Sequence, residues 1–86
     1  MTTLASFTAQ VHECAALFRL GRDVEGVTVM VDLFDIAMPF LAKRSAEQQA
    51  SLAAVLGEML ACQQGQNWLG LADWLEYEWL ALVSGE

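Results

Sequence analysis

Residues 21–26, GRDVEG, decide the predicted fold, because they have the pattern of one helix ending and the next beginning. Gly21 follows a segment with an apolar period of 3.6 residues and is typical of a helix C-terminus. Asp23 is predicted as the N-cap of the second helix. Gly26 then occupies the third helical position. This stretch predicts a short turn between two helices.

The same order of residue types returns 44 positions later as GQNWLG, at residues 65–70. Gly65 is predicted to end the third helix and Asn67 to cap the fourth. Ser45, followed three residues later by Gln48, has the spacing of a capping box and marks the start of the third helix. Both halves of the chain therefore carry the signals of a helical hairpin.

These signals predict a single all-α domain over residues 1–86. The predicted architecture is a four-helix bundle built from two hairpins, at about residues 3–42 and 45–83. A possible internal repeat with an offset of about 44 residues relates the hairpins. The alternative is that any two amphipathic hairpins align equally well, since two copies fall short of the three or more that mark a repeat array.

The composition favours an interaction partner for the bundle. The chain is 56% hydrophobic and 17% charged, against roughly 45 to 50% and about 25% in typical domains. Apolar side chains therefore exceed what one small core hides, and some are expected to face a partner. The net charge is −7 with four Lys and Arg. That balance excludes nucleic acid and anionic membrane surfaces as partners.

No targeting or membrane segment is predicted. The first residues, MTTLASFTAQ, lack the positive start and long apolar run of a signal peptide. The most apolar region, residues 24–42, is interrupted by Glu25, Asp32, Asp35 and Pro39, which argues against membrane insertion. A cytoplasmic location is expected. Cys14 and Cys62 are then expected to be reduced thiols, with a disulfide as the minority alternative.

The second and fourth helices carry more apolar residues than one face holds. In a regular α-helix, Trp68, Leu71, Leu75, Glu78, Trp79 and Leu82 share one broad side of the fourth helix. The residues outside the main stripes are predicted as the interface. They are Trp74, Tyr77 and Leu80 on the fourth helix, with Leu33 and Ile36 on the second.

The two acids of the segment LEYEWL, residues 75–80, receive different predictions. Glu76 falls beside Asp73 and is expected to be solvated. Glu78 falls inside the apolar stripe, where an ionised carboxylate needs hydrogen-bond donors. Glu78 is therefore predicted as a structural polar residue, together with the capping residues Asp23, Ser45 and Asn67. The alternatives for Glu78 are a polar interface contact and a catalytic or metal-binding carboxylate.

No catalytic, metal or cofactor motif stands out, and the chain is predicted not to be an enzyme. His12-Glu13 lacks the second histidine of a zinc-binding HExxH motif, and no phosphate-binding glycine-rich loop is present. An enzyme or metal protein that uses Glu78, Asp32, Asp35 and His12 remains an alternative. It would carry metal when freshly purified.

The segment NWLGLADWLEYEWL, residues 67–80, resembles a pattern in short all-helical bacterial proteins of unassigned role, some associated with flagellar or motility genes. The resemblance covers mainly this segment and implies no catalytic residue. Trp stands where the pattern more often has aliphatic or Tyr side chains.

Two functions follow from these features. The first is a non-enzymatic protein interaction module that self-associates as a homodimer through the surplus apolar faces of the second and fourth helices. The alternative is a secretion or assembly chaperone, or an adaptor, that binds an amphipathic helix of a client protein.

Overall fold

The computed structural model describes residues 4–84, which form four helices and no strand. The first three are α1 (Leu4–Arg19), α2 (Asp23–Leu41) and α3 (Ala46–Gln64). The fourth, α4, has three consecutive segments, which are Trp68–Asp73 (α), Trp74–Trp79 (π) and Leu80–Ser84 (α). The predicted all-α four-helix bundle is confirmed. The predicted start of the first helix at residue 3 lies outside the described residues.

The turn after α1 is a Schellman motif, in which two backbone hydrogen bonds close the end of the helix. The N–H of Arg22 donates to the carbonyl of Leu17 at 2.9 Å, and the N–H of Gly21 donates to the carbonyl of Phe18 at 3.1 Å. Gly21 has a φ of 79°, the left-handed conformation that glycine adopts without a steric penalty. The prediction that Gly21 ends the first helix is confirmed.

The turn after α3 has the same hydrogen bonds but a different residue at its left-handed position. The N–H of Asn67 donates to Cys62 at 2.8 Å, and the N–H of Gln66 donates to Gln63 at 3.1 Å. Gln66 has the positive φ, 57°, whereas Gly65 has a φ of −84°. Helix α3 ends at Gln64 with Gly65 as its C-cap, so the predicted helix stop at Gly65 is confirmed, although the left-handed conformation falls one residue later, at Gln66.

The two turns correspond at an offset of 45 residues, since residues 17–22 and 62–67 carry the same hydrogen bonds. The sequence motifs, in contrast, align at an offset of 44 residues. This difference of one residue explains why the N-cap of α2 was predicted at the wrong position. Asp23 corresponds to Trp68, the first helical residue of α4, and the N-cap of α2 is Arg22 without a side-chain cap. The predicted capping role of Asp23 is wrong. The internal repeat itself stays a prediction.

The other two predicted caps are confirmed. At α3, the N–H of Gln48 donates to Ser45 Oγ and the N–H of Ser45 donates to Gln48 Oε1, both at 3.2 Å. At α4, Asn67 Oδ1 accepts a hydrogen bond from the N–H of Gly70 at 3.1 Å. Each cap satisfies a backbone donor that the first turn of a helix leaves without a partner.

The helices pack in the spatial order α2, α1, α4, α3. Helix α1 packs against α2 and α4, and α3 packs against α4. Helices α2 and α3 are joined by a short loop but are not among the closely packed pairs. The molecule is accordingly flattened, with extents of 34 × 29 × 18 Å.

The core draws unequally on the four helices. Helix α3 contributes the fewest fully buried apolar residues, although it is as long as α2. The buried apolar residues are Phe7, Val11, Cys14, Ala15 and Phe18 (α1), Met30, Leu33, Ala37 and Leu41 (α2), Leu52 and Met59 (α3), and Leu71, Ala72, Leu75, Trp79 and Val83 (α4).

Close approach of α1 and α2 requires the glycine at position 26. A Cβ atom there would lie 2.8 to 3.0 Å from the ring of Phe18. The Phe18 ring also stacks on Trp68, with centroids 5.7 Å apart and an interplanar angle of 4°. Gly26 therefore lets α2 pack on a ring that α4 also contacts.

The π-helical segment of α4 follows from the spacing of its buried residues. In a regular α-helix, residues spaced four positions apart are rotated by about 40° from one another around the helix axis, which adds up to about 120° over three intervals. A π turn closes over five residues instead of four and takes up that rotation. The result is one buried row composed of Leu71, Leu75, Trp79 and Val83.

Candidate interaction surfaces

Exposed apolar side chains form a straight row on α2, which we call the α2 strip. The strip consists of Val24, Val31 and Met38, whose side chains are 76%, 50% and 56% exposed. Its members are seven residues apart, and seven residues make two helical turns with a drift of only about 20°. The strip therefore lies along one side of the helix.

The α2 residues predicted for the interface lie elsewhere. Leu33 is 1% exposed and belongs to the core, so its predicted interface role is wrong. Ile36 is half-buried against the core. The prediction failed because it placed Leu33 outside the buried stripe of α2, whereas the buried face contains Gly26, Leu33 and Ala37. Small residues on that face allow close approach, and Val31 and Met38 are left outside.

The α4 residues predicted for the interface divide into two environments. Trp74 is half-buried, whereas Tyr77 is 64% exposed. Both line a shallow groove of about 240 Å³, together with Gly70, Asp73 and Glu78. We call this the α4 groove. Leu80 is half-buried and packs against the core.

The two acids of the π segment are placed the opposite way from the prediction. Glu76 is the partnered carboxylate: Oε1 lies 3.0 Å from Arg19 Nη2, and Oε2 lies 2.7 Å from His12 Nδ1. Arg19 Nη2 also donates to Asp73 Oδ1 at 2.9 Å. Glu78 is exposed. The predictions of a solvated Glu76 and an internal Glu78 are wrong, because the π turn rotates the segment relative to a regular α-helix.

The charge cluster shifts the ionisation of its members. Hydrogen bonds from Arg19 and then His12 hold the pKa of Glu76 below its usual value, and they outweigh the opposing effect of burial. Hydrogen bonds to Glu76 and Asp73 raise the pKa of Arg19. These charge-assisted contacts join α1 to α4 and fix the π segment against the bundle.

The sequence contains a signal that could have identified Glu76. Starting from Leu71, apolar residues recur every four positions through Trp79 to position 83. This spacing favours a widened turn over a regular α-helix. When Trp79 faces the core, the neighbouring Glu78 lies outside the buried apolar row. The choice of His12 and Arg19 as partners required knowledge of how α1 docks on α4.

A second opening, the apolar cleft, lies where α2, α3 and α4 meet. It has a volume of about 60 Å³ and is lined by Phe34, Met38, Leu41, Leu52, Leu56 and Trp79. Trp79 is fully buried and lies in ring contact with Phe34, with centroids 5.1 Å apart. The cleft opens between α2 and α3, which are not among the closely packed pairs.

The remaining candidate groups within residues 4–84 do not assemble into a metal site. Within that range no three His, Cys, Asp or Glu side chains are grouped so as to hold a metal ion. Cys14 and Cys62 are free thiols. Burial raises the pKa of Cys14 to about 12, and its thiol donates to the Gly26 carbonyl at 3.3 Å. None of the described helices is long and apolar enough to cross a membrane.

Comparison of the chain with protein-family models, curated proteins and solved structures finds no match. The structure presents three candidate interaction surfaces on a small all-α scaffold. Two are apolar, the α2 strip and the apolar cleft, and the third is the α4 groove with its aromatic side chains.

Proposed function

We propose that this chain is a non-enzymatic protein interaction module that self-associates as a symmetric dimer. The observation that carries the proposal is the α2 strip, whose apolar side chains are at least half exposed. A surface helix normally directs polar residues to solvent, and an apolar row on its outer side indicates a second contact.

The spacing of the strip supports a twofold contact. Val31 is its midpoint, with Val24 seven residues before it and Met38 seven residues after it. Two antiparallel α2 helices related by an axis near Val31 would pair the two Val31 side chains. The same axis would bring Val24 of each copy against the partner's Met38. A closed twofold interface needs such a self-complementary surface.

Charge limits the strength of this dimer. Each copy has a net charge of −7, so two copies repel one another at low ionic strength. Screening shortens the range of that repulsion to about 8 Å at physiological salt. We therefore expect the dimer to strengthen with added salt, in contrast to a contact made by ion pairs.

Sedimentation or light scattering over a wide concentration range tests the proposal. Val31→Glu should give folded monomers at concentrations where the parent is dimeric. Leu60→Glu is the matched control, because Leu60 on α3 is 53% exposed and Val31 is 50% exposed. Tyr77→Glu reports on the α4 groove.

A parent that remains monomeric at every concentration would overturn self-association. Dissociation by Tyr77→Glu alone would keep the dimer but move its interface to α4. Equal dissociation by Leu60→Glu would indicate a general effect of added charge and overturn the assignment to the strip.

The apolar cleft favours a second candidate function, that of an adaptor or assembly chaperone for a helix of a client protein. Such a helix would insert apolar side chains between α2 and α3. For either function we propose the cytoplasm as the compartment. The free thiols of Cys14 and Cys62 support this choice, since thiols stay reduced there.

A further inference from the structure

We infer that the apolar cleft binds a basic amphipathic helix and accepts one aliphatic side chain of that helix between α2 and α3. The inference rests on the second candidate function, client binding, and specifies the chemistry of the client. It is carried by the size of the cleft, the methionine side chain in its wall and the net charge of the bundle.

The size of the cleft selects the inserted side chain. A dry cavity of about 150 Å³ is large enough to hold benzene, whereas this cleft measures about 60 Å³. The branched end of a Leu, Ile or Val side chain suits that space better than an aromatic ring. Every residue that lines the cleft is apolar, so a polar side chain would lose its hydration without gaining a partner.

One wall of the cleft can adjust to its ligand. Met38 lines the cleft and is 56% exposed. Methionine has a flexible, polarisable side chain that adapts to different apolar partners. Trp79 and Leu41 are held in the core and supply a fixed floor.

The net charge of the chain, −7, favours a basic helix as the client. Three of the four basic residues are already engaged: Arg19 with Glu76, Arg22 with Glu25, and Arg44 with the carbonyl of Val83 at 2.8 Å. Within residues 4–84, Lys43 is the remaining basic residue. Most acidic side chains of that range have no ion-pair partner.

Asp35 is an acid next to the cleft along α2, and we expect it to contact the client. It is exposed and lies one helical turn before Met38, directly after the cleft residue Phe34. An acidic client helix would meet this residue and the net charge of −7 as repulsion. A helix with Lys or Arg beside its apolar row would be attracted and correctly oriented.

The test uses the full chain and a dye-labelled synthetic helix of about 18 residues, or five helical turns. This probe peptide carries Leu on one face and Lys on the other. Binding is followed by fluorescence anisotropy. Met38 belongs to both the α2 strip and the cleft, so a second copy would compete with the peptide. The titration is therefore made at protein concentrations where light scattering gives the monomer mass.

Three matched comparisons locate and characterise the site. A peptide with Glu in place of Lys should bind at least about tenfold more weakly. Leu56→Gln in the cleft should weaken the Lys peptide by about tenfold or more, while Leu60→Gln, one turn further along α3, should leave it unchanged. Asp35→Asn should weaken binding and reduce its dependence on salt. Circular dichroism confirms that each variant is folded.

The outcomes distinguish failure of the basic-client inference from failure of client binding itself. Equal binding of the Lys and Glu peptides would overturn the basic client while preserving client binding. Equal losses from Leu56→Gln and Leu60→Gln would overturn the placement in the cleft. Absence of binding by every peptide would overturn both the inference and the second candidate function.

Discussion

Replacement of Glu76 by Gln is the sharpest test of the α4 arrangement, with Glu78→Gln as its control. The two glutamates are two residues apart in the same π segment, and each substitution removes one negative charge. General relief of repulsion in this acidic chain therefore affects both variants. Of these two glutamates, Glu76 is the one with ion-pair partners on another helix.

The expected effect follows from the exposure of the three groups involved. Hydrogen bonds to charged groups contribute about 1.5 to 3 kcal/mol, and exposed ion pairs about 0.2 to 1 kcal/mol. The side chain of Glu76 is 11% exposed, but those of Arg19 and His12 are 35% and 52% exposed. Solvent screening of the partners places the loss at about 1 to 2 kcal/mol. Glu78→Gln should change stability by less than about 0.5 kcal/mol.

The same contact predicts how the difference varies with pH. The pKa of Glu76 is lower in the folded chain than in the unfolded chain. Its stabilising contribution is therefore complete above the pKa of the unfolded chain and is lost as the pH falls through the lower pKa of the folded chain. The stability of the parent should therefore approach that of Glu76→Gln in strong acid.

Thermal and urea unfolding of the three proteins at neutral pH provide the assay. In a domain of this size, each kcal/mol corresponds to a change in Tm of about 4 to 8 °C. A double-mutant cycle with Arg19→Gln would measure the coupling directly. Equal small effects at both positions, or a larger loss at Glu78, would refute the π-helical placement of these side chains.

Three further predictions concern glycine and the left-handed conformation. Gly26→Ala should destabilise the bundle by about 1 to 3 kcal/mol through overpacking on Phe18, whereas Gly57→Ala, whose Cβ meets nothing within 4 Å, should stabilise α3 by about 0.5 to 1 kcal/mol. Urea unfolding would detect both changes, and stabilisation by Gly26→Ala would refute the close approach of α1 and α2. Gln66→Gly should raise stability by about 1 kcal/mol by relieving a left-handed φ, and a lower Tm for this variant would contradict that account of the α3 turn.

The local signals in the sequence determined the class of fold and most helix boundaries. Gly21, Ser45 and Asn67 mark their helix ends as predicted, because each acts through its own backbone or through residues within one turn of it. The apolar excess likewise predicted exposed apolar surface, since a small domain cannot bury so many apolar side chains.

The tertiary structure decided which face of each helix is buried. Leu33 became a core residue because Gly26 brings α2 close to the ring of Phe18, an arrangement that depends on both helices. Glu76 rather than Glu78 became the partnered acid because α4 widens into a π turn to keep Trp79 inside the bundle. Periodicity assumes a fixed angle per residue, and contacts between helices can change that angle or turn a different face inward.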